Sequence, residues 1–108
     1  MDGFLTKLGR ARWKRRWFIL ENDAITYFSQ QGDLTPQGRM ILFSNSRVTN
    51  FPTRAHAFQV TRTATDKKLI AYADTREERD RWVAAFNEKI ARLKKCRAQQ
   101  PQIRRNVR

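Results

Sequence analysis

The run Trp13-Lys14-Arg15-Arg16-Trp17-Phe18-Ile19-Leu20 restricts the fold more than any other stretch of the chain. Its front half is basic and its back half is aromatic and aliphatic, a composition that suits a strand. In a strand, alternate residues point to opposite faces. Lys14, Arg16, Phe18 and Leu20 then share one face, and Trp13, Arg15, Trp17 and Ile19 share the other. The first face begins charged and ends apolar. A flat amphipathic strand has no reason to change character along one face, whereas a strand lining a cup does. Phe18 and Leu20 would fill the bottom of such a cup, and Lys14 and Arg16 would stand at its rim. The preceding Gly3-Phe4-Leu5-Thr6-Lys7-Leu8 reads as the partner strand, with Leu5 and Lys7 facing the same way. A hairpin closed through Gly9-Arg10-Ala11-Arg12 gathers Lys7, Arg10, Arg12, Lys14 and Arg16 at one end. Like charges crowded together cost free energy unless an anion or solvent screens them. Lysine and arginine make charge-assisted bonds to phosphate oxygens, so phosphate is the expected anion. A solvated basic turn is the plainer alternative.

Charge on the whole chain points the same way. Lys and Arg number 23 against 10 Asp and Glu, a formal net charge of +13 over 108 residues. Such a chain seeks polyanions: an anionic membrane surface, nucleic acid or acidic proteins. The length suits one domain with a core of its own. A single cysteine, Cys96, excludes an internal disulfide and fits a reducing compartment. No apolar run approaches the ~18–20 residues that span a bilayer. Lys7, Arg10 and Arg12 interrupt any secretory h-region. The expected location is therefore the cytosol.

The rest of the chain alternates with period two until it changes to period 3.6. Asn22-Asp23 forms a tight turn, and 24–28 forms a third strand antiparallel to the second, returning Tyr27 to the rim. Residues 29–38 are a polar loop punctuated by Gly32, Pro36 and Gly38. Strands are expected at 39–43, 47–51, 57–61 and 68–73, with a turn at 64–67. Thr75-Arg76-Glu77-Glu78 is a capping-box sequence. Trp82, Val83, Phe86, Ile90 and Leu93 recur at helical spacing, which predicts a helix over about 76–95. Its stripe is bulky enough to plug one open end of a small curved sheet, with Trp82 and Phe86 as the main plugs. This leaves residues 1–97 as the domain and 98–108 as a basic, mobile tail.

The Gly3–Gly9 and Trp13–Leu20 runs, Tyr27-Phe28 and Trp82 in a closing helix occur in an order that resembles a pleckstrin homology (PH) domain. The resemblance covers Gly3 to about Leu93. It implies a mainly β fold: a seven-stranded, partly open barrel of two near-orthogonal antiparallel sheets, capped by a C-terminal helix. Phosphoinositide-binding members tend to carry a spaced basic signature, and Lys7, Lys14, Arg16 and Phe18 satisfy it. The Lys14–Leu20 run looks most like the cytohesin type, which favours 3-phosphorylated inositides. Tyr27 matches a third-strand tyrosine that helps hold the headgroup there. That type also carries an arginine between the proline and glycine before its fourth strand; here Gln37 stands in that place and Arg39 lies two positions on.

The resemblance thus implies a phosphoinositide-binding, membrane-targeting module recruited peripherally to the cytoplasmic face of membranes. Its expected binding residues are Lys7, Arg10, Arg12, Lys14, Arg16, Tyr27 and Arg39. Trp13 either dips into the membrane interface or packs on the outer sheet surface. A protein-interaction module with weak or nonspecific anionic-lipid binding is the alternative, and a nucleic-acid binder stands behind it because no RNP-type stretch or zinc spacing is present. No cofactor is implied. An enzyme is not expected: His56 is the only histidine and lies in a Pro/Arg-containing loop, Cys96 has no histidine nearby in sequence, and no phosphate loop or metal-ligand cluster appears.

Overall fold

Alternation in the sequence becomes seven strands, β1 (Asp2–Leu8), β2 (Trp13–Glu21), β3 (Ala24–Phe28), β4 (Gly38–Ile41), β5 (Ser46–Asn50), β6 (Ala57–Arg62) and β7 (Lys68–Tyr72), followed by one helix, α1 (Arg76–Val107). The computed structural model describes the backbone of residues 1–62 and 67–107, and the side chains of residues 1–62 and 67–95. The strands form one antiparallel sheet in the order β4-β3-β2-β1-β7-β6-β5. β1 and β2 pair along the whole of β1, from Asp2↔Ile19 to Leu8↔Trp13. The β1–β7 junction is narrow, with Thr6↔Tyr72 and Lys7↔Ala71 as its pairs. This seam divides the sheet into a four-stranded and a three-stranded half that close over one core, while β4 and β5 remain as the two edges. The mainly β barrel with one capping helix is the architecture expected above.

Parity decides what is buried. Leu5, Phe18, Leu20, Ile25, Met40, Val60, Leu69 and Ala71 lie in the core on the concave face of the sheet. Phe18 is 0% exposed, and along the same face Arg16 is half-buried and Lys14 exposed. The other face of β1 and β2 carries Phe4 edge-on to Trp17 at 4.9 Å and Trp13 edge-on to Tyr72 at 5.1 Å. Trp13 therefore packs on the outer sheet surface.

The helix closes the bottom. Glu78 N donates to Thr75 Oγ1 at 3.1 Å, so Thr75 caps the first turn, where Glu77 and Glu78 also complement the helix dipole. Trp82, Phe86 and Ile90 are buried. Phe86 lies 5.9 Å from Phe58 and 6.1 Å from Trp82. Trp82 also lies over Gly3 at the start of β1: a Cβ there would stand 3.5 Å from Trp82 Cζ2. The plug thus sits at the end of the barrel where β1 begins, opposite the β1–β2 turn.

Several bounds differ from the expected ones. β4 ends at Ile41 rather than 43 because its partner β3 begins only at Ala24: Leu42 N still bonds Asp23 O at 2.7 Å in the same register, and beyond it the partner strand gives way to the 22–23 turn. The helix runs past the expected end near Lys95, where the apolar stripe that marked its end stops at Leu93; the next residues, Arg97 to Gln100, are good helix formers, and the helix continues across Pro101. The expected tail at 98–108 lies outside the residues whose side chains are described, and three residues of the expected turn at 64–67 lie outside the described backbone. Asn22 takes the left-handed conformation that the turn requires, at φ 53°.

Two substitutions check this account. Phe86→Ala, which empties the plug, is expected to lower stability by about 3–5 kcal/mol in urea unfolding followed by circular dichroism. Asn22→Gly is expected to leave stability unchanged or raised, and Asn22→Val to lower it by about 1–2 kcal/mol, because a β-branched side chain opposes positive φ.

Candidate functional site

The end of the barrel opposite the plug is open. The β1–β2 turn (9–12), the β3–β4 connection (29–37) and the start of β7 all lie there, as the antiparallel pairings require. Between them is a cavity of about 180 Å³, lined by Lys7, Tyr27, Gly38, Arg39, Lys67 and Lys68 over an apolar floor of Ile25, Met40 and Leu69. It is too small to enclose a drug-sized ligand, which needs ~300–1,000 Å³. A phosphate-sized group fits inside, and a larger anion would stand partly in the mouth.

Strand parity delivers Lys7, Tyr27 and Lys67 to the cavity, whereas Arg39 and Lys68 have the opposite parity and reach its lining from the strand ends. Lys7 follows Leu5 on β1, and Tyr27 follows Ile25 on β3. Lys7 Nζ is 5.1 Å from the centre of the Tyr27 ring, near enough for the ring to hold the ammonium by cation–π attraction. Tyr27 itself leans on Phe18, with ring centres 5.3 Å apart. It crosses the backbone of Gly38, its register partner on β4. A Cβ at residue 38 would overlap the tyrosine hydroxyl and lie 2.7 Å from Cε1. Glycine is needed there because an aromatic ring occupies the space, with no demand from φ.

Of the residues expected at the site, Lys7, Tyr27 and Arg39 line this cavity. Lys14 is the register partner of Lys7 and stands exposed beside it. Arg16 is half-buried one step deeper on the same face as Lys14, with its Nη1 donating to Arg15 O at 3.0 Å. Arg10 and Arg12 are exposed in the turn above. These four surround the mouth without lining the cavity. The expected list omits Lys67, Lys68 and Gly38, which do line it. Their signal was present in part: Lys67 shares its parity with Leu69, a core residue.

Ion pairing sets Arg15 apart from its two neighbours on β2. Arg15, between Lys14 and Arg16 in sequence, points outward, pairs with Asp74 at 3.1 Å and stacks over Phe4 at 4.6 Å. Arg79 pairs with Asp80 and Arg92 with Glu88. Among the described residues, Lys7, Arg10, Arg12, Lys14, Arg16, Arg39 and Lys68 form no ion pair. These seven cations concentrate positive charge without an ion pair at the mouth. His56 lies in the β5–β6 connection at φ 60°, and its carbonyl accepts a bond from Ala73 N at 3.1 Å. Among the described residues, no group of three or more His, Cys, Asp or Glu gathers to hold a metal, and no helix is long and apolar enough to cross a membrane.

A family model described as "PH domain" matches residues 1–91. The RAC family serine/threonine-protein kinase homolog of Dictyostelium discoideum is 33% identical over 86 residues, which cover 76% of this chain and 19% of that protein. Human cytohesin-2 is 28% identical over an alignment of 114 residues, covering 83% of this chain and 28% of the relative. The chain thus spans less than a third of either protein. Among solved structures, the C-terminal PH domain of pleckstrin in complex with D-myo-Ins(1,2,3,5,6)P5 superposes with a TM-score of 0.76 at 28% identity, over 83% of this chain and 93% of that one.

The Tyr27–Gly38 contact is open to test without any ligand. Gly38→Ala is expected to cost about 1–3 kcal/mol in denaturant unfolding. Combined with Tyr27→Ala, it should cost much less than the sum of the two single changes, because the ring it strikes is gone.

Proposed function

From the premise that this chain belongs to the PH domain family, we propose that it is a phosphoinositide-binding module that brings whatever it is joined to onto an anionic membrane. The observation that carries this reading is the group of cations, without an ion pair among the described residues, around a phosphate-sized cavity. Lys7, Lys14 and Arg16 bond the ring phosphates from one side. Arg39 and Lys68 approach from the other, the Tyr27 hydroxyl donates from the wall, and Arg10 and Arg12 close over the mouth. The complex of the pleckstrin C-terminal PH domain with an inositol pentakisphosphate supports this class of ligand. Cytohesin-2 among the relatives agrees with the sequence resemblance to that type. The module binds and does not catalyse, as suits a fold that carries no chemistry of its own.

Two forces add. Each desolvated, charge-assisted bond to phosphate contributes about 1.5–3 kcal/mol net. Each further cation near an anionic leaflet contributes about 1 kcal/mol and is screened by salt. Only cations near the mouth join the second term. Lys89 and Arg92 line a groove beside Asn22 and Asp23, at the plugged end, and point away from a membrane docked on the mouth.

The test is co-sedimentation with vesicles that each carry one phosphoinositide, at low and near-physiological salt. Arg16→Ala is expected to lower affinity about ten- to hundredfold while circular dichroism stays unchanged. Arg15→Ala, one residue away on the outer face, should leave binding largely intact. Equal binding by a folded Arg16→Ala variant would overturn the proposal. So would binding that tracks total lipid charge whatever the phosphoinositide, and a search for a protein or nucleic-acid partner would then follow.

A further inference from the structure

Three large hydrophobic side chains stand exposed among the described residues: Met1, Phe43 and Leu34. Met1 is tied into the sheet, its carbonyl accepting from Leu20 N at 2.7 Å. Phe43 carries the Arg62 guanidinium on its ring at 4.0 Å. Leu34 differs from both, since 94% of its surface is in water.

A lone exposed leucine is ordinary on a protein surface. Its place and its presentation distinguish this one. Leu34 lies on the β3–β4 connection, whose two ends are Tyr27 and Gly38, register partners that both line the cavity. The connection is folded back on itself. Gln37 N bonds Tyr27 O at 2.8 Å, Asp33 N bonds Gln30 O at 3.2 Å, and Gly32 turns the chain at φ 92°. Pro36 stiffens its return to β4. Leu34 is therefore held out by a built turn at the mouth end of the barrel. The turn on the neighbouring hairpin, 9–12, exposes Arg10 and Arg12 at the same end.

We propose that Leu34 is an apolar anchor that enters the headgroup–acyl boundary of a bilayer when the mouth holds a lipid headgroup, an inference that rests on the membrane-binding reading above. Water is displaced from the leucine only in the membrane-bound state, so its burial favours that state over the free one. The cationic turn and the apolar turn then engage the bilayer differently. Arg10 and Arg12 stay among the phosphates, whereas Leu34 reaches below them, which fixes the tilt of the domain. Asp33, beside it and half-buried, opposes deeper entry into an anionic surface and limits the insertion to about one side chain.

The experiment compares the full chain with Leu34→Ala and Leu34→Asp on two probes. One probe is vesicles of phosphatidylcholine, phosphatidylserine and mixed phosphoinositides. The other is soluble inositol hexakisphosphate, measured by calorimetry. The expected result is a loss of vesicle affinity of about tenfold or more for Leu34→Asp, smaller for Leu34→Ala, with hexakisphosphate affinity unchanged in both. Vesicle affinity that is the same in all three chains would overturn the anchor and leave the headgroup site standing. A parallel loss on hexakisphosphate would also overturn it, by making Leu34 part of the anion pocket. If the full chain binds the hexakisphosphate and no vesicles, the anchor alone fails. If it binds neither probe, the proposed function fails and the anchor with it.

Discussion

The register of β2 is the constraint on which the mouth depends. Phe18 and Leu20 are essentially without solvent contact, and both belong to one face of a nine-residue strand. A slip by one residue would move them outside and bring Trp17 and Ile19 in. It would also send Lys14 and Arg16 to the outer face and turn Arg15 inward. Burial of two apolar side chains thus decides which of three consecutive cations reach the cavity side. The neighbouring strand repeats the arrangement with Leu5 and Lys7, and β3 with Ile25 and Tyr27. The rim cations carry no register information of their own; the core beneath them holds the geometry.

The arrangement has an electrostatic cost. Away from the mouth, and among the described residues, three cations pair with acids, Arg15 with Asp74, Arg79 with Asp80 and Arg92 with Glu88, while others such as Arg47 and Arg81 do not. These exposed pairs contribute little to stability, about 0–1 kcal/mol each. Their effect is more to neutralise. Around the mouth, Lys7, Arg10, Arg12, Lys14, Arg16, Arg39 and Lys68 have no ion pair among the described residues, so the local field there is open to an arriving anion and falls with added salt. The strain of like charge is tolerable because most of these groups are exposed and the half-buried ones lie on an aromatic ring or a backbone carbonyl.

What the sequence made legible follows from interactions that are local or hairpin-close. Period-two alternation announced the strands, the Thr75–Glu78 spacing announced the helix cap, and Asn22-Asp23 announced its turn. Lys7, Lys14 and Arg16 could be placed because one short turn joins their strands. Lys67 and Lys68 were legible as the basic pair leading into β7 but were left off the expected site, because they reach the cavity from some sixty residues away, across the two-residue seam between β1 and β7. Gly38 was read as punctuation in a loop, since no pattern in sequence reports that a ring from another strand lies on its backbone. Trp13 had two readings until Tyr72 and Arg54 were found against it on the outer face. The fold was thus more legible than the site, whose far wall is a product of topology.

The sheet ends at two strands that do not bond each other, β4 and β5. A fully closed barrel fixes its diameter by its number of strands, and a change in what it can hold requires a change in that number. Here one wall of the cavity is β4, bonded to β3 alone. Its position can drift as loops lengthen or as residues 38–40 change, without disturbing the β1–β2 pairing or the helical plug. The open edge therefore separates the part of the molecule that must be inherited intact from the part on which selection can act. A lineage could alter the anion it recognises while keeping the same barrel.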